Sequence, residues 1–222
     1  MWTGQAPCPQ EHTLKIAIIG AGNVGSTLAR RWAALGHEVT IGSQNPTSEK
    51  ARALAQTLSL PVTSTTAAAA ASDLILLATP ADATLSAAQS CGDLSGKILM
   101  DATNPLNATL TGLDHPNGES GAQRLQQILP STHIVKAFNT VGFNIMANPV
   151  LEGRKAVLVL SGNDAEAVST VAKLAQETGF EPLRLGDIST SRMQEEQALL
   201  WIHLAVRGGL GRNFAFTLVN SA

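Results

Sequence analysis

The fold is decided by residues 14–25, which read Leu-Lys-Ile-Ala-Ile-Ile-Gly-Ala-Gly-Asn-Val-Gly. The apolar run is typical of a buried strand, and the Gly-x-Gly-x-x-Gly spacing after it predicts a tight turn into a helix. In a turn that cradles a dinucleotide, Gly20 permits the turn, Gly22 lets the backbone approach a pyrophosphate, and Gly25 lets the helix pack on the sheet. The amide groups of the helix N-terminus then face the phosphate charge. The alternative is a plain strand, turn and helix that bind no nucleotide.

Length and charge favour a small-molecule partner. The 222 residues are enough for one large domain, or for one domain with a small appendage, and for a sizeable core. With 15 Lys and Arg against 17 Asp and Glu, the net charge of −2 provides no basic field for nucleic acid or an anionic membrane. No apolar stretch reaches the ~18 residues of a membrane span, and residues 1–13 lack the pattern of a secretory signal. We therefore expect a cytoplasmic protein that binds neither nucleic acid nor membrane.

Two residue types exclude whole classes of site. Cysteine occurs only as Cys8 and Cys91, which supports neither a disulfide framework nor a cysteine metal site, and we expect no bound metal. Tyrosine is absent, which excludes the Tyr-Lys acid of one large class of Rossmann reductases.

Hydrophobic periodicity extends the opening unit into an α/β fold. Helical spacing continues to Leu35, and residues 37–41 read as a second strand, which completes a βαβ unit. Strand and helix patterns then alternate, which predicts a Rossmann-type, doubly wound parallel sheet over residues 1–148. The pattern restarts at Pro149. We therefore expect a small C-terminal α/β and helical domain, residues 149–222, that completes the substrate cleft.

Two helices are predicted together with the residues that cap them. The alanine-rich run of residues 67–71 reads as a helix capped by Thr65 or Thr66. Near the C-terminus, Ser191 and Gln194 form a possible capping box. The helix after them is expected to present one face made of Met193, Gln197, Leu200, Trp201 and Leu204.

Small polar residues follow three predicted strands, at the sheet edge where open parallel sheets bind their ligands. The first two groups are Thr79-Pro80 and Thr103-Asn104-Pro105, which we expect to join the glycine turn around one site. The third group is Phe138-Asn139-Thr140, at the place expected for a bound nicotinamide. The loop Leu106–Ser120 is too long for a simple connection and is expected to cover a substrate.

The end of the second strand favours NADP over NAD. Enzymes that select NAD usually place Asp or Glu about 20 residues past the glycines, where it binds the ribose hydroxyls. Gly42-Ser43 occupies that position here, and Ser43, Gln44 and Asn45 offer neutral donors to a 2′-phosphate. Lys50 and Arg52 are the nearest cations, and the alternative for both is a solvated place on the next helix.

Three of these strand-end motifs together resemble one enzyme family. They are Gly-Ser-Gln-Asn-Pro at 42–46, Asp-Ala-Thr-Asn-Pro at 101–105 and Val-Lys-Ala-Phe-Asn-Thr at 135–140. The chain resembles the NADPH-dependent reductases of the deazaflavin coenzyme F420 from about Lys15 to Phe214. Its first half is also similar to the oxidoreductase domain of the STEAP metalloreductases.

The resemblance implies an NADP site and a second redox cofactor, F420 or a flavin, whose ring stacks near the nicotinamide. It assigns the adenosine end to residues 20–25, which are Gly20, Ala21, Gly22, Asn23, Val24 and Gly25, together with Ser43 and Gln44. It assigns the middle of NADP to Ala78, Thr79 and Pro80, and the nicotinamide to Ala137, Asn139, Thr140 and Val141. The chain departs from the family at Gln44, where the family has arginine, and at Ala21, where it has threonine or glycine.

Hydride transfer between two rings depends on their placement and on the exclusion of water, so no catalytic residue is expected. We expect His133 to be a structural histidine and Asp101 to brace its turn through nearby amides. His203 is a candidate for lining the cleft, and Lys136 points either to the cleft or to the surface. Trp201 and Phe214 are expected in core or subunit contacts.

Two other hypotheses remain open at this point. The β-hydroxyacid dehydrogenases share this kind of N-terminal domain and use a lysine on a later helix, where this chain has Lys173 without the glycine-rich lead. A non-catalytic NADP-binding sensor is compatible with the same motifs. The apolar C-terminal helix and its glycine break also suggest a homodimer.

Overall fold

The computed structural model describes residues 13–114 and 116–219. Its strands are β1 (Lys15–Ile19), β2 (Glu38–Ser43), β3 (Val62–Ser64), β4 (Leu74–Leu77), β5 (Ile98–Asp101), β6 (His133–Lys136), β7 (Val150–Leu151), β8 (Arg154–Lys155), β9 (Val157–Gly162) and β10 (Glu181–Gly186). Its helices are α1 (Asn23–Ala34), α2 (Glu49–Leu58), α3 (Thr65–Ala70), α4 (Thr84–Ser90), α5 (Gly121–Ile128), α6 (Phe143–Ala147), α7 (Ala165–Thr178) and α8 (Ser191–Val206). None of the helices described is both long and apolar enough to cross a membrane. The predictions for Cys8 and residues 1–12 lie outside the described residues.

The strands that bear on the site form one sheet in the order β10-β9-β6-β5-β4-β1-β2-β3. All neighbours from β6 to β3 are parallel. Strand β4 is fully buried, with Leu74 and Leu76 in one hydrophobic cluster and Ile75 and Leu77 in the other. A strand that is apolar on both faces requires helices on both faces, so the predicted doubly wound fold is confirmed.

The second part of the chain extends the same sheet. Strand β9 runs antiparallel to β6, with Ser161 opposite Lys136, and β10 runs parallel to β9. An aromatic row also joins the two parts, because Phe138 makes edge-to-face contacts with Trp32 and Phe180 at centroid distances of 5.7 Å. The strand direction therefore reverses after residue 148, while the core continues past it. A domain boundary at that residue stays a prediction.

Two predicted helix starts are wrong in detail. Helix α3 is capped by Ser64, whose hydroxyl accepts from the Ala67 amide, and not by Thr65 or Thr66. The N-cap of α8 is Thr190, whose side chain makes no capping bond, so Ser191 and Gln194 form no capping box. Both are buried instead, with the Ser191 hydroxyl 2.6 Å from that of Ser120.

The predicted face of α8 is also wrong for two of its members. Met193 and Leu200 are 59% and 51% exposed. The buried residues of this helix are Ser191, Gln194, Glu195, Ala198, Trp201 and Ala205. Periodicity of apolar residues failed because α8 packs against polar groups at the ends of β5 and β6, where buried polar side chains find partners.

Candidate functional site

The three glycines of the β1–α1 turn have different surroundings. Gly20 has a φ of +100°, and a Cβ there would lie 2.5 Å from the Ala78 carbonyl oxygen. A Cβ on Gly25 would lie 2.0 Å from the Gly20 oxygen, so α1 packs too closely on the turn for any side chain. A Cβ on Gly22 would meet no atom within 4 Å. The backbone at Gly22 therefore borders open space, where a ligand can approach it.

Helix α1 offers unpaired amide groups beside this space. Its N-cap is Gly22, which carries no capping side chain, and no acidic residue lies in its first turn. The amides of Asn23, Val24 and Gly25 therefore have no partner within the helix, and they carry the positive end of its dipole. This arrangement suits a phosphate.

A cleft of about 640 Å³ extends from the glycine turn to α2. Predicted site residues line it, namely Gly20, Ala21, Gly22, Ser43, Gln44, Asn45 and Lys50. The predicted site did not include the other lining residues, which are Ile41, Gly42, Ser48, Ala51, Ala53, Leu54 and Thr57. Lys50, Leu54 and Thr57 have the i, i+4, i+7 spacing of one helix face, and that spacing was the signal that could have found them.

The structure separates the two candidate cations. Lys50 lines the cleft, whereas the Arg52 guanidinium donates to the Thr47 carbonyl at 2.7 and 3.1 Å. The set of lining residues contains no carboxylate, and Ser43 stands where enzymes that select NAD carry an acid. This end of the cleft can therefore accept an additional phosphate without charge repulsion.

The polar groups that follow β4, β5 and β6 lie at the same sheet edge. The Ala78 amide donates to the Ile19 carbonyl at 2.8 Å, which brings Thr79 and Pro80 beside the glycine turn. Thr79 lies 3.3 Å from the Thr84 hydroxyl. As the parallel order predicts, these residues adjoin one end of the sheet.

The ends of β5 and β6 are joined by a pair of side-chain amides. Asn104 donates from Nδ2 to the Asn139 carbonyl at 2.8 Å, and Asn139 donates from Nδ2 to Asn104 Oδ1 at 3.0 Å. Thr103 lies buried before this pair, and the carbonyl of Pro105 after it accepts from the Asp114 amide in the long loop. The two predicted groups are thus in direct contact.

The turn that follows β6 has an unusual backbone. Phe138 has a φ of +64° although it is not glycine, and its ring is fully buried in the aromatic row. Ala137 and Val141 are buried on either side of Asn139 and Thr140. The Thr140 hydroxyl is buried and has no hydrogen-bond partner among the described residues. Sequence patterns gave no sign of the left-handed Phe138, because its conformation depends on packing partners far along the chain.

These features fit a dinucleotide. The open approach to Gly22, the amides of α1 without partners in the helix and the Lys50 ammonium suit phosphates, and the Thr140 hydroxyl, without a partner in the described part of the chain, lies in the segment that the sequence predicts for the nicotinamide.

A buried ion cluster of Lys136, Asp101 and Glu195 lies under the strand ends. The Lys136 ammonium donates to Asp101 Oδ2 at 2.8 Å, to Glu195 Oε1 at 2.7 Å and to the Thr103 carbonyl at 2.7 Å. Lys136 therefore points to neither cleft nor surface. Burial alone would lower the pKa of this ammonium, but the charges of Asp101 and Glu195 outweigh burial and raise its pKa above 10.5.

Asp101 braces its turn as predicted, because its Oδ1 accepts from the amide and the hydroxyl of Thr103 at 2.9 and 2.7 Å. Glu195 is a residue that sequence reasoning missed. It reaches β6 from α8, and no motif in the sequence marked it.

The other candidates lie away from the strand ends. His133 stands at the start of β6, 3.6 Å from Asp164, and His203 is exposed on α8. Lys173 is exposed and borders a separate cavity of about 250 Å³ on α7, which gives no support to a dehydrogenase base. Trp201 stacks on Phe214 at a centroid distance of 5.2 Å, so both make contacts within this chain.

Comparison of the sequence with known proteins gives one matching family and two similar proteins. Residues 15–105 match the family described as NADP oxidoreductase, coenzyme F420-dependent. The F420-dependent NADP reductase of Methanothermobacter thermautotrophicus is 30% identical over 229 residues, which cover 93% of this chain and 95% of that protein. The metalloreductase STEAP3 of Rattus norvegicus is 33% identical over 184 residues, which cover 82% of this chain and only 36% of that longer protein.

A solved structure extends the match to three dimensions. The crystal structure of a putative F420-dependent NADP-reductase from Arthrobacter sp. FB24 has a TM-score of 0.85 and 35% identity. The alignment covers 93% of this chain and 100% of that one. Identity and fold agree over nearly the whole length, and the chain therefore belongs to the family of coenzyme F420-dependent NADP oxidoreductases.

Proposed function

We propose that this chain is an oxidoreductase that transfers hydride between NADP(H) and a second redox cofactor, most simply a deazaflavin of the F420 type or a flavin. The observation that carries the proposal is the cleft beside an open glycine turn, lined by Lys50 and by no carboxylate, together with the paired strand ends at Asn104 and Asn139 on the same edge of the parallel sheet. When bound, NADPH supplies the hydride. The names of the methanogen and rat relatives, an F420-dependent reductase and a metalloreductase, support an electron acceptor other than a simple carbonyl compound.

In this proposal each part of the cleft binds one part of NADP. The phosphate of the adenosine ribose lies against Ser43, Gln44, Asn45 and Lys50, and the pyrophosphate lies on the amides of α1 and at Ala78, Thr79 and Pro80. The nicotinamide lies between Thr103-Asn104-Pro105 and residues 137–141, where the Thr140 hydroxyl can donate to it. The amide pair of Asn104 and Asn139 keeps the two strand ends at a fixed separation.

Placement of the two rings and exclusion of water are the contributions expected from the protein. The loop Leu106–Ser120 contacts α8 and the residue that follows it. The Ser120 hydroxyl lies 2.6 Å from that of Ser191, Arg192 donates to the Gly118 carbonyl at 3.2 Å, and Arg207 donates to the Thr109 carbonyl at 3.4 Å. This loop and α8 are therefore the elements that we propose to cover the second substrate.

The test mixes the purified protein with NADPH and, separately, with F420, FMN and a ferric chelate. We expect the near-ultraviolet absorbance of NADPH to fall with at least the deazaflavin or the flavin. If calorimetry shows that NADPH binds while no acceptor is reduced, the alternative of a non-catalytic NADP-binding sensor replaces this proposal. If NADPH does not bind, both are wrong.

Preference for NADP over NAD is tested at the two cations. Lys50→Gln should weaken binding of NADPH about tenfold, as the loss of one charged contact to phosphate does, and should leave the weaker NADH binding unchanged. Arg52→Gln is the matched control, because Arg52 is bound to the Thr47 carbonyl. Equal effects of the two substitutions would contradict a direct contact of Lys50 with the phosphate.

We also propose a cytoplasmic homodimer. Exposed apolar side chains on and after α8, namely Met193, Leu200, Val206 and Leu210, support a subunit contact. Light scattering that gives a monomer mass at micromolar concentration would remove the dimer, and cell fractionation tests the location.

A further inference from the structure

The Lys136 ammonium, at the centre of the ion cluster with Asp101 and Glu195, uses all of its hydrogen-bond donors. The ammonium has three N–H groups, and each finds an acceptor, in Asp101, Glu195 and the Thr103 carbonyl. The Glu195 carboxylate accepts in addition from the Gly121 amide at 3.0 Å. All three charged side chains are 0% exposed, so their geometry is fixed by these bonds and not by solvent.

The cluster connects α8 to the turn that follows β5. The Thr103 carbonyl, which Lys136 binds, is one peptide before Asn104, and Asn104 is paired with Asn139 at the end of β6. A shift of the ammonium therefore moves both strand ends that border the proposed nicotinamide position.

A second residue of α8 strengthens this connection. Gln194 donates to the Lys136 carbonyl at 3.2 Å and to the Val159 carbonyl at 2.9 Å, and the Ser161 hydroxyl bonds to its Oε1. Neighbouring side chains of α8 thus bind the backbone and the ammonium of the same β6 residue. The contact between helix and strand is set by specific polar bonds.

Stability alone does not account for such a cluster. Removing three charges from water is costly, and the attraction between them offsets this cost only in part, so apolar residues of similar volume serve stability as well. A cluster of this kind differs from an apolar core in fixing direction and distance at each bond.

We propose that Glu195 is a positioning residue for the nicotinamide end of the cofactor. Through Lys136 it holds the Thr103-Asn104 turn, and with it Asn139, in the geometry that binds the nicotinamide. The adenosine end, which lies at β2 and α2, does not depend on it. This inference rests on the proposed function for the identity of the cofactor.

The test compares a whole cofactor with its adenosine fragment. Glu195→Gln keeps the shape of the side chain and an acceptor oxygen but removes its charge, and Glu196→Gln is the matched control on the exposed side of the same helix, where Glu196 pairs with Arg192. Calorimetry measures binding of NADPH and of adenosine 2′,5′-bisphosphate, which lacks the nicotinamide. We expect Glu195→Gln to weaken the binding of NADPH at least about fivefold and to change the binding of the fragment by no more than about twofold. Glu196→Gln should change neither.

The outcomes separate the two proposals. If the wild-type protein binds neither ligand, the proposed function is wrong. If it binds both, and a folded Glu195→Gln variant binds NADPH normally or loses both ligands equally, the positioning role is wrong. Should Glu195→Gln not fold, the triple variant Asp101→Asn, Lys136→Met and Glu195→Gln removes all three charges of the cluster, and the same loss of NADPH binding without loss of fragment binding is expected from it.

Discussion

Gly22 and Gly25 lie about one helical turn apart and differ in the space that they leave for a side chain. A Cβ at Gly22 meets open space, whereas a Cβ at Gly25 lies 2.0 Å from the Gly20 oxygen. We expect Gly22→Ala to change the free energy of unfolding by less than about 0.5 kcal/mol and to weaken NADPH at least about tenfold, because the methyl group occupies the approach to the pyrophosphate. Urea unfolding and calorimetry measure the two effects.

The same substitution at Gly25 is the control. Gly25→Ala should lower the free energy of unfolding by about 2 kcal/mol or more, since α1 must move away from the turn. A Gly22→Ala variant that binds NADPH as well as the wild type would place the pyrophosphate elsewhere.

Cys91 is expected to be chemically inert. Burial raises the pKa of its thiol to about 11 from 9.0, and its Sγ donates to the Ala87 carbonyl at 3.3 Å. In a Cys8→Ser variant, in which Cys91 is the remaining cysteine, labelling by a thiol reagent near neutral pH should be at least about a hundredfold slower in the folded protein than in urea. Rapid labelling without denaturant would show that the α4 region opens readily.

Whether the surroundings of a residue could be predicted depended on how far along the chain its partners lie. The tight turn at Gly20 and the close helix packing at Gly25 could be predicted because the glycine spacing specifies one local turn. Lys136 could not be placed, because one of its acceptors, Glu195, is 59 residues away and no local pattern links them. The left-handed backbone of Phe138 is likewise imposed by Trp32 and Phe180, which are remote in the chain.

Among the elements, α5 begins with a feature that can be tested by one substitution. Ser120 accepts from the Gln123 amide at 3.1 Å, Gln123 accepts from the Ser120 amide at 3.0 Å, and the buried Ser120 hydroxyl also contacts that of Ser191 on α8. Ser120→Ala should lower the free energy of unfolding by about 1–2 kcal/mol, because a capping bond and a contact between helices are lost together.

Ser64→Ala removes the cap of α3, where the bond is exposed, and should cost about 0.5–1 kcal/mol. Thermal or urea unfolding of both variants checks the difference. Equal losses would mean that the contact of Ser120 with α8 adds nothing.

Helix α8 shows why an element can be predicted while its orientation is not. Its existence followed from composition and spacing, but the face that it buries carries Gln194 and Glu195. Apolar periodicity finds a helix that packs on an apolar core. It fails where the partner surface is polar, and strand ends of a parallel sheet are such a surface.

At the scale of the whole molecule, Lys136 is expected to make the free energy of unfolding fall at alkaline pH. Because the pKa of Lys136 is raised above its unfolded value of 10.5, its stabilisation is fully present below pH 10.5 and is lost as pH rises through the folded pKa. Urea unfolding on both sides of pH 10.5 should show a steeper loss of the free energy of unfolding for the wild type than for the triple variant Asp101→Asn, Lys136→Met and Glu195→Gln. Cys91 titrates in both proteins, so its effect cancels. Parallel pH curves would contradict the charged state of the cluster.

The overall architecture was predictable because each parallel unit repeats the same local pattern of strand, turn and helix. The order of strands beyond β6 was not, since β9 joins the sheet with its direction reversed, and a short apolar run specifies no direction. The meeting of the strand ends at one edge of the sheet could likewise be predicted, whereas the contribution of α8 to that edge could not.

The ion cluster also has a consequence for the order in which the chain can be completed during synthesis. Glu195 follows Lys136 by 59 residues in the chain. Asp101 and Lys136 therefore leave the ribosome before it. Until α8 emerges, the Lys136 ammonium lacks its Glu195 acceptor, and its site in the fold is still accessible to water. The first strands can therefore associate early, but the sheet edge that bears the proposed nicotinamide position reaches its final geometry only after α8 has been synthesised.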